Sequence, residues 1–145
     1  MNTQLTASEI QEIQQLLKDE PAQKALSTLE QNNGNLEASF DILWQEQFGI
    51  QEYGKGKSLL QLVLDEIRAE ICGDEGLRGK PKEYTNNPGS ASLLNSIIGS
   101  LVTVAALNGI PIDGAIATII VLYILKIGLN VFCKYTKPEG EEEKK

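Results

Sequence analysis

The apolar stretch at residues 91–133 limits the possible folds of this chain more than any other segment. It reads ASLLNSIIGSLVTVAALN, then GIPID, then GAIATIIVLYILKIGLNVFC, and only Asp113 and Lys126 in it are charged. Because water solvates such a segment poorly, it must be buried in a helical core or in a lipid bilayer. The function depends on which of these environments it occupies.

Two helices are predicted in this stretch. Residues 91–108 would form a helix of about 27 Å and residues 114–133 one of about 30 Å, close to the roughly 30 Å of a bilayer's hydrocarbon core. Asn108, Gly109 and Pro111 stop the first helix, and Asp113 can cap the second. The pattern therefore predicts an antiparallel hydrophobic hairpin.

Weakly polar side chains recur at helical spacing along both predicted helices. Small residues in such rows let helices approach closely in lipid. The row on the first helix, which we predict to pack the hairpin, consists of Ser92, Ser96 and Ser100. The row on the second, which we predict to be the polar row of a membrane hairpin, consists of Thr118, Lys126 and Asn130. Lys126 either reaches toward the interface or faces a bundle interior or a wet lumen.

The first 50 residues contain start and stop signals for three short helices. Thr6 and Glu9 form a capping box before the first helix, and Pro21 fits the first position of the second. Asn32-Asn33-Gly34 ends the second helix, and Asn35 can cap the third. The sequence therefore predicts a compact helical unit here.

The third helix, which should end near Phe48-Gly49, carries an apolar stripe. Leu36, Phe40 and Leu43 share one face, and this spacing predicts core packing. Trp44 lies off that stripe, so it either covers the back of the unit or offers an aromatic anchor to a partner.

Residues 25–44, ALSTLEQNNGNLEASFDILW, resemble the ubiquitin-associated family and its CUE relatives. The positions that match the family's pattern are Ala25-Leu26, Gly34-Asn35, Glu37, Ala38 and Ile42-Leu43. The resemblance implies a three-helix bundle over residues 1–50. Family members that bind ubiquitin carry a Met-Gly-Phe/Tyr-type loop where this chain has Asp19-Glu20-Pro21, so the resemblance implies the fold rather than ubiquitin binding. We predict that Ile42 and Leu43, which match the helix-three pair, bind a protein partner together with Trp44.

The rest of the chain divides into connecting and terminal segments. Residues 51–90 are predicted to hold a linker, an amphipathic helix and a loop, and residues 91–135 the hairpin. Residues 136–145 are charged and predicted to be disordered. The apolar face of the middle helix consists of Leu60, Val63, Leu64, Ile67 and Ile71.

Composition excludes several classes of function. A net charge of −7 opposes nucleic-acid binding, which needs a clustered basic face. The chain contains no histidine, and Cys72 and Cys133 lie far apart, so neither a catalytic constellation nor a metal site is predicted. We expect no cofactor and no enzymatic activity.

These patterns favour an all-α, non-enzymatic adaptor or effector of the prokaryotic signalling or defence type. Residues 1–50 would bind a protein partner. The hairpin would insert in membrane lipid, where several copies could associate into homo-oligomers. Lysines at the flanks and an acidic turn place both termini at the cytoplasmic face of the inner membrane. The alternative is a soluble, cytoplasmic, all-helical interaction protein whose hairpin is the core or an oligomer interface.

Overall fold

The computed structural model describes residues 4–49, 60, 63–66, 68, 91–107 and 109–127. The helices with both ends described are α1 (Ala7–Leu16), α2 (Glu20–Gln31), α3 (Leu36–Phe48), α4 (Ala91–Leu107) and α5 (Gly114–Ile127). The described residues outside helices form caps and turns, with one isolated bridge between Gln4 and Asn35. The predicted all-α class is confirmed.

The capping signals of α1 and α2 act largely as predicted. The Thr6 hydroxyl accepts from the Glu9 amide at 3.1 Å, and Glu9 Oε1 accepts from the Thr6 amide at 2.8 Å. Helix α2 begins one residue earlier than expected, at Glu20, because the Asp19 side chain accepts from the Ala22 amide and caps it. Pro21 is therefore the second residue of α2, where a missing N–H still costs no helical hydrogen bond.

The turn after α2 has a backbone geometry that needs a glycine at position 34. Asn33 takes the left-handed conformation (φ 57°), and the Gly34 amide donates to the Leu29 carbonyl at 2.7 Å, which closes the helix end. Gly34 also has positive φ (82°), and its carbonyl accepts from the Leu5 amide at 2.9 Å. A Cβ at position 34 would lie 2.0 Å from the Leu5 carbonyl oxygen. This close approach holds the segment before α1 against the turn.

Helices α4 and α5 are joined by a turn with a standard stop and start. The Gly109 amide donates to Ala106 and the Ile110 amide to Ala105, a pair of bonds typical of a helix end with glycine after the cap. The Asp113 carboxylate accepts from the Ile116 amide at 2.9 Å and caps α5. With 17 and 14 residues, α4 and α5 are about 25 Å and 21 Å long. In the described part of the chain, no helix combines the length and the apolarity needed to cross a membrane.

Helix α5 occupies the centre of the described core. Every residue at positions 115–124 is buried, and α5 packs against α2, α3 and α4. Thr118, which is 1% exposed, donates from its hydroxyl to the Gly114 carbonyl at 2.7 Å, so this polar group is satisfied within the helix. Full burial of one large aliphatic side chain contributes roughly 1.5–3 kcal/mol, so α5 is a major source of stability.

The same core includes residues from the middle of the chain and from the N-terminal helices. Residues 60, 63–66 and 68 are helical, and Leu60, Val63 and Leu64 are buried as the predicted apolar face requires. Ile67 and Ile71 of that face, the predicted tail and both cysteines lie outside the described residues. The N-terminal contribution to the core consists of Leu5, Ile10, Leu17, Ala22, Ala25, Leu26, Leu29, Leu36, Phe40 and Leu43.

Candidate functional site

The predicted partner-binding residues of α3 differ in accessibility. Ile42 is 38% exposed, Trp44 is partly buried, and Leu43 is 2% exposed. Leu43 belongs to the buried stripe with Leu36 and Phe40 because residues at spacings of four and three lie on one helical face. In this fold a partner can reach Ile42, but Leu43 only if α3 moves.

Trp44 is held in an aromatic stack along α3. Its ring centroid lies 5.7 Å from that of Phe40 and 4.4 Å from that of Phe48. The indole Nε1 and Asp41 Oδ1 are both buried and make no hydrogen bond. Burial raises the pKa of the Asp41 carboxyl, and the neighbouring negative charge of Glu37 raises that pKa further. The stack therefore holds Trp44 against Phe40 and Phe48, and Asp41, three residues earlier on α3, is a carboxylate whose charged form is disfavoured by burial.

An ion pair joins the outer surfaces of α2 and α3. Lys24 Nζ lies 2.7 Å from Glu46 Oε1, and the hydrogen bond that Lys24 donates to this carboxylate raises the pKa of Lys24. Over residues 4–49 as a whole, acidic side chains greatly outnumber the basic ones, which are Lys18 and Lys24. The acidic ones are Glu9, Glu12, Asp19, Glu20, Glu30, Glu37, Asp41 and Glu46. This surface therefore attracts positively charged partners.

A second ion pair joins α1 to α5. Lys126 Nζ lies 3.0 Å from both Glu9 Oε1 and Oε2. The backbone hydrogen bond from Thr6 is the main cause that lowers the pKa of Glu9; burial opposes it, and Lys126 lowers that pKa further. Glu9 therefore serves the helix cap and the contact between helices at once.

Two concavities lie beside these ion pairs. A cavity of about 170 Å³ sits between α1, α4 and α5 under the Glu9–Lys126 pair. An open cleft of about 670 Å³ lies between α2 and the start of α5, next to Lys24. The cavity is lined by Leu5, Glu9, Glu12, Ile13, Leu94, Leu122, Leu125 and Lys126.

The predicted serine row of α4 lies mostly at the surface. Ser92 and Ser96 are exposed, and Ser100 is half-buried. The buried face of α4 instead consists of Leu94, Ile97, Leu101 and Ala105. In a core enclosed by protein helices, large aliphatic side chains bury more apolar area than serine, so they form the packing face.

The predicted polar row of α5 is divided by the fold. Thr118 is buried and bonded within its own helix, whereas Lys126 reaches the surface and pairs with Glu9. Asn130 lies outside the described residues. The described members of the row therefore do not meet in one polar interior.

Two contacts that position these helices have no signal in the sequence. Glu9 can be identified as a capping residue, but nothing in its surroundings indicates Lys126, far along the chain. The Gln47 side chain donates to the Pro111 carbonyl at 3.0 Å and ties α3 to the turn before α5. A complementary charge at an unknown helix crossing is visible only once the packing is known.

The described parts of these sites consist of carboxylate, lysine, aromatic and aliphatic side chains. No group of three or more histidine, cysteine, aspartate or glutamate residues is placed to hold a metal ion within the described ranges. No known protein family, curated protein or solved structure matches this chain. The candidate sites therefore stand on their geometry alone.

Proposed function

We propose that this chain is a non-enzymatic interaction protein that binds a basic protein partner through the outer face of α3, with the C-terminal hairpin as its core. The burial of residues 115–124 against α2, α3 and α4 carries this proposal. That packing buries the apolar surface of α5 against other helices of the same chain. It leaves the outer face of α3, centred on Ile42, for recognition.

The surroundings of Ile42 suit a contact with a positively charged partner. Ile42 and Glu46 are four residues apart and lie on the same side of α3. Glu46 pairs with Lys24, so the apolar side chain is bordered by a fixed ion pair on an acidic surface. An apolar centre with a charged rim is the usual arrangement of a protein interface, and the excess of carboxylates favours association with a basic surface.

The likeness of residues 25–44 to the ubiquitin-associated family supports the same class of function. Helices α1, α2 and α3 are short and consecutive, as that family's bundle requires. On this basis α1, α2 and α3 form a three-helix recognition unit. Ubiquitin is not the proposed partner, because Asp19-Glu20-Pro21 replaces the family's binding loop.

The test uses two exposed aliphatic residues as a matched pair. Ile42→Ala should abolish capture of a specific partner by the 145-residue chain. The purified partner should bind the unmodified chain with an affinity that falls as salt is raised. Leu107→Ala is the control, since Leu107 is 82% exposed and lies on α4. If the partner needs Leu107 but not Ile42, α3 is not the recognition surface.

A second candidate function, membrane insertion of the hairpin, is favoured by one observation. Asn95, Thr103 and Thr118 each donate from the side chain to the carbonyl four residues earlier in the same helix. The two threonine hydroxyls thus donate within their own helix, as a bilayer requires, and Asn95 satisfies one of its two N–H groups in the same way. Insertion would require α5 to leave the core and the Glu9–Lys126 pair to break.

Vesicle flotation distinguishes the two candidates. Lys126→Glu places two carboxylates where the ion pair stood, so it should increase binding of the full chain to neutral phosphatidylcholine vesicles if release of α5 is the trigger. Lys18→Glu, an exposed change of the same charge on another surface, is the control. Failure of Lys126→Glu to bind vesicles more than Lys18→Glu would exclude insertion by this route.

A further inference from the structure

The cavity under the Glu9–Lys126 pair has an apolar floor. Leu94 and Leu122 are 0% and 3% exposed, and Leu5 is also buried. Ile13 and Leu125, which are partly buried, form its walls. Engineered apolar cavities of about 150 Å³ accept a benzene ring. The volume of about 170 Å³ is therefore sufficient for one aromatic or branched aliphatic side chain.

The rim of this cavity is charged and reaches solvent. Lys126 Nζ is bonded to both oxygens of Glu9, so the charges of these residues offset each other. Glu12, one helical turn after Glu9, is exposed and makes no ion pair among the described residues. The rim thus presents one uncompensated negative charge beside an apolar opening.

We propose that this cavity is a second docking site, which takes one apolar side chain, best phenylalanine, from a protein segment that carries an adjacent lysine or arginine. The apolar side chain fills the space above Leu94 and Leu122, and the cation pairs with Glu12. The match in charge selects a basic segment, since an acidic one would be repelled by Glu12. The inference rests on the proposed function only for the class of partner, a protein.

Position separates this site from the surface at Ile42. The cavity is formed by α1, α4 and α5, whereas Ile42 lies on α3. A partner can therefore use one site without the other. Variants at Ile13 and Ile42 report on the two sites separately.

The experiment is a methyl-detected NMR titration of the full chain with two capped peptides, acetyl-Gly-Phe-Arg-Gly-amide and acetyl-Gly-Phe-Glu-Gly-amide. The arginine peptide should shift the methyl signals of Leu94 and Leu122 saturably, and the glutamate peptide should bind up to about fivefold more weakly, because one partly exposed charge contact is worth up to about 1 kcal/mol. Glu12→Gln should reduce this difference while the binding of both peptides continues. Ile42→Ala should change neither result.

A cavity-filling variant gives an independent readout. Ile13→Trp, at a partly buried wall position, should abolish the methyl shifts. If Ile13→Trp does not fold, the titration of Glu12→Gln with the two peptides still tests the proposal. The proposal is overturned if the two peptides bind equally, or if neither shifts Leu94 and Leu122. It is also overturned if those signals move with protein concentration alone, because a second copy of the chain would then fill the cavity.

Discussion

Lys126 Nζ lies 3.0 Å from both carboxylate oxygens of Glu9, and this contact ties the first helix of the described core to the last. Both side chains are partly exposed, at 33% and 39%. Exposed ion pairs of this kind are worth about 0.2–1 kcal/mol, and salt screens them. The pair therefore adjusts stability, whereas burial of α5 supplies most of it.

A double-mutant cycle measures this ion pair. Glu9→Gln and Lys126→Met should each lower the free energy of unfolding, with a coupling energy of about 0.2–1 kcal/mol that shrinks in high salt. Glu9→Ala should cost more than Glu9→Gln, because glutamine can still accept from the Thr6 amide and complete the capping box. Urea denaturation at two salt concentrations gives these values. A coupling energy of zero at low salt would show that the pair does not form in solution.

Stability should fall on acidification partly through Glu9. Its pKa is lowered in the folded chain, so the stabilisation is complete above about pH 4.3, the ordinary glutamate pKa, and is lost as the pH falls through the lowered value. Glu9→Gln should therefore flatten the acid side of the stability profile.

Asp41 should act in the opposite direction. Burial raises its pKa, so its carboxylate opposes folding at neutral pH, and this cost is relieved as the pH falls through the raised value. Asp41→Asn should raise the free energy of unfolding at pH 7 by up to about 0.5 kcal/mol and have a smaller effect at pH 4. A loss of stability at pH 7 would mean that the charged form is favoured in the folded chain.

Two glycines should respond to alanine with opposite signs. Gly34→Ala should destabilise the chain by at least about 1–3 kcal/mol, since φ is 82° and the new Cβ would collide with the Leu5 carbonyl. Gly99, inside α4, has no atom within 4 Å of the site of a new Cβ, so Gly99→Ala should stabilise it by about 0.5–1 kcal/mol. Thermal unfolding of both variants tests this. Equal changes in stability for the two variants would show that residue 34 does not lie in a strained turn.

The central position of α5 predicts a steep penalty for truncating its side chains. Ile116 is 0% exposed, so Ile116→Ala should lower the free energy of unfolding by about 2–5 kcal/mol. Leu107→Ala should change stability by no more than about 0.5 kcal/mol, because the side chain is 82% exposed. Chemical denaturation of the two variants decides the matter. A small effect at Ile116 would argue that α5 is not packed in the core in solution.

Removal of the C-terminal helices should unfold the N-terminal ones. Helices α2 and α3 both pack against α5, so a fragment of residues 1–50 leaves their inner faces in water. We expect that fragment to bind a hydrophobic dye and to unfold without a cooperative transition, whereas the full chain does not bind the dye. A fragment with a sharp thermal transition would show that residues 1–50 fold independently.

Sequence reasoning succeeded where the signal is local. Thr6, Asn35 and Asp113 cap their helices because a short polar side chain accepts from the free amide three residues later. Glu9 completes the capping box by accepting from the Thr6 amide. The buried stripe of α3 likewise follows from helical spacing.

The sequence leaves two possible environments for α4 and α5, because an all-round apolar pattern does not specify what covers the helix. The same residues satisfy a bilayer or a sheath of other helices, and only the packing of α2 and α3 distinguishes these environments. Lys126 shows the difficulty most clearly. Its position on an apolar helix suggests a lumen or an interface, and its actual neighbour, Glu9, is fixed by a helix crossing that no local pattern encodes.

The burial of α5 also has a consequence during synthesis on the ribosome. More of the chain separates Phe48 from Gly114 than makes up α1, α2 and α3 together. At typical translation rates, α5 is synthesised on the order of seconds after α2 and α3, so their inner faces stay uncovered for that time. During that interval the apolar faces of α2 and α3 remain exposed, and a chaperone or a neighbouring nascent chain competes with α5 for them.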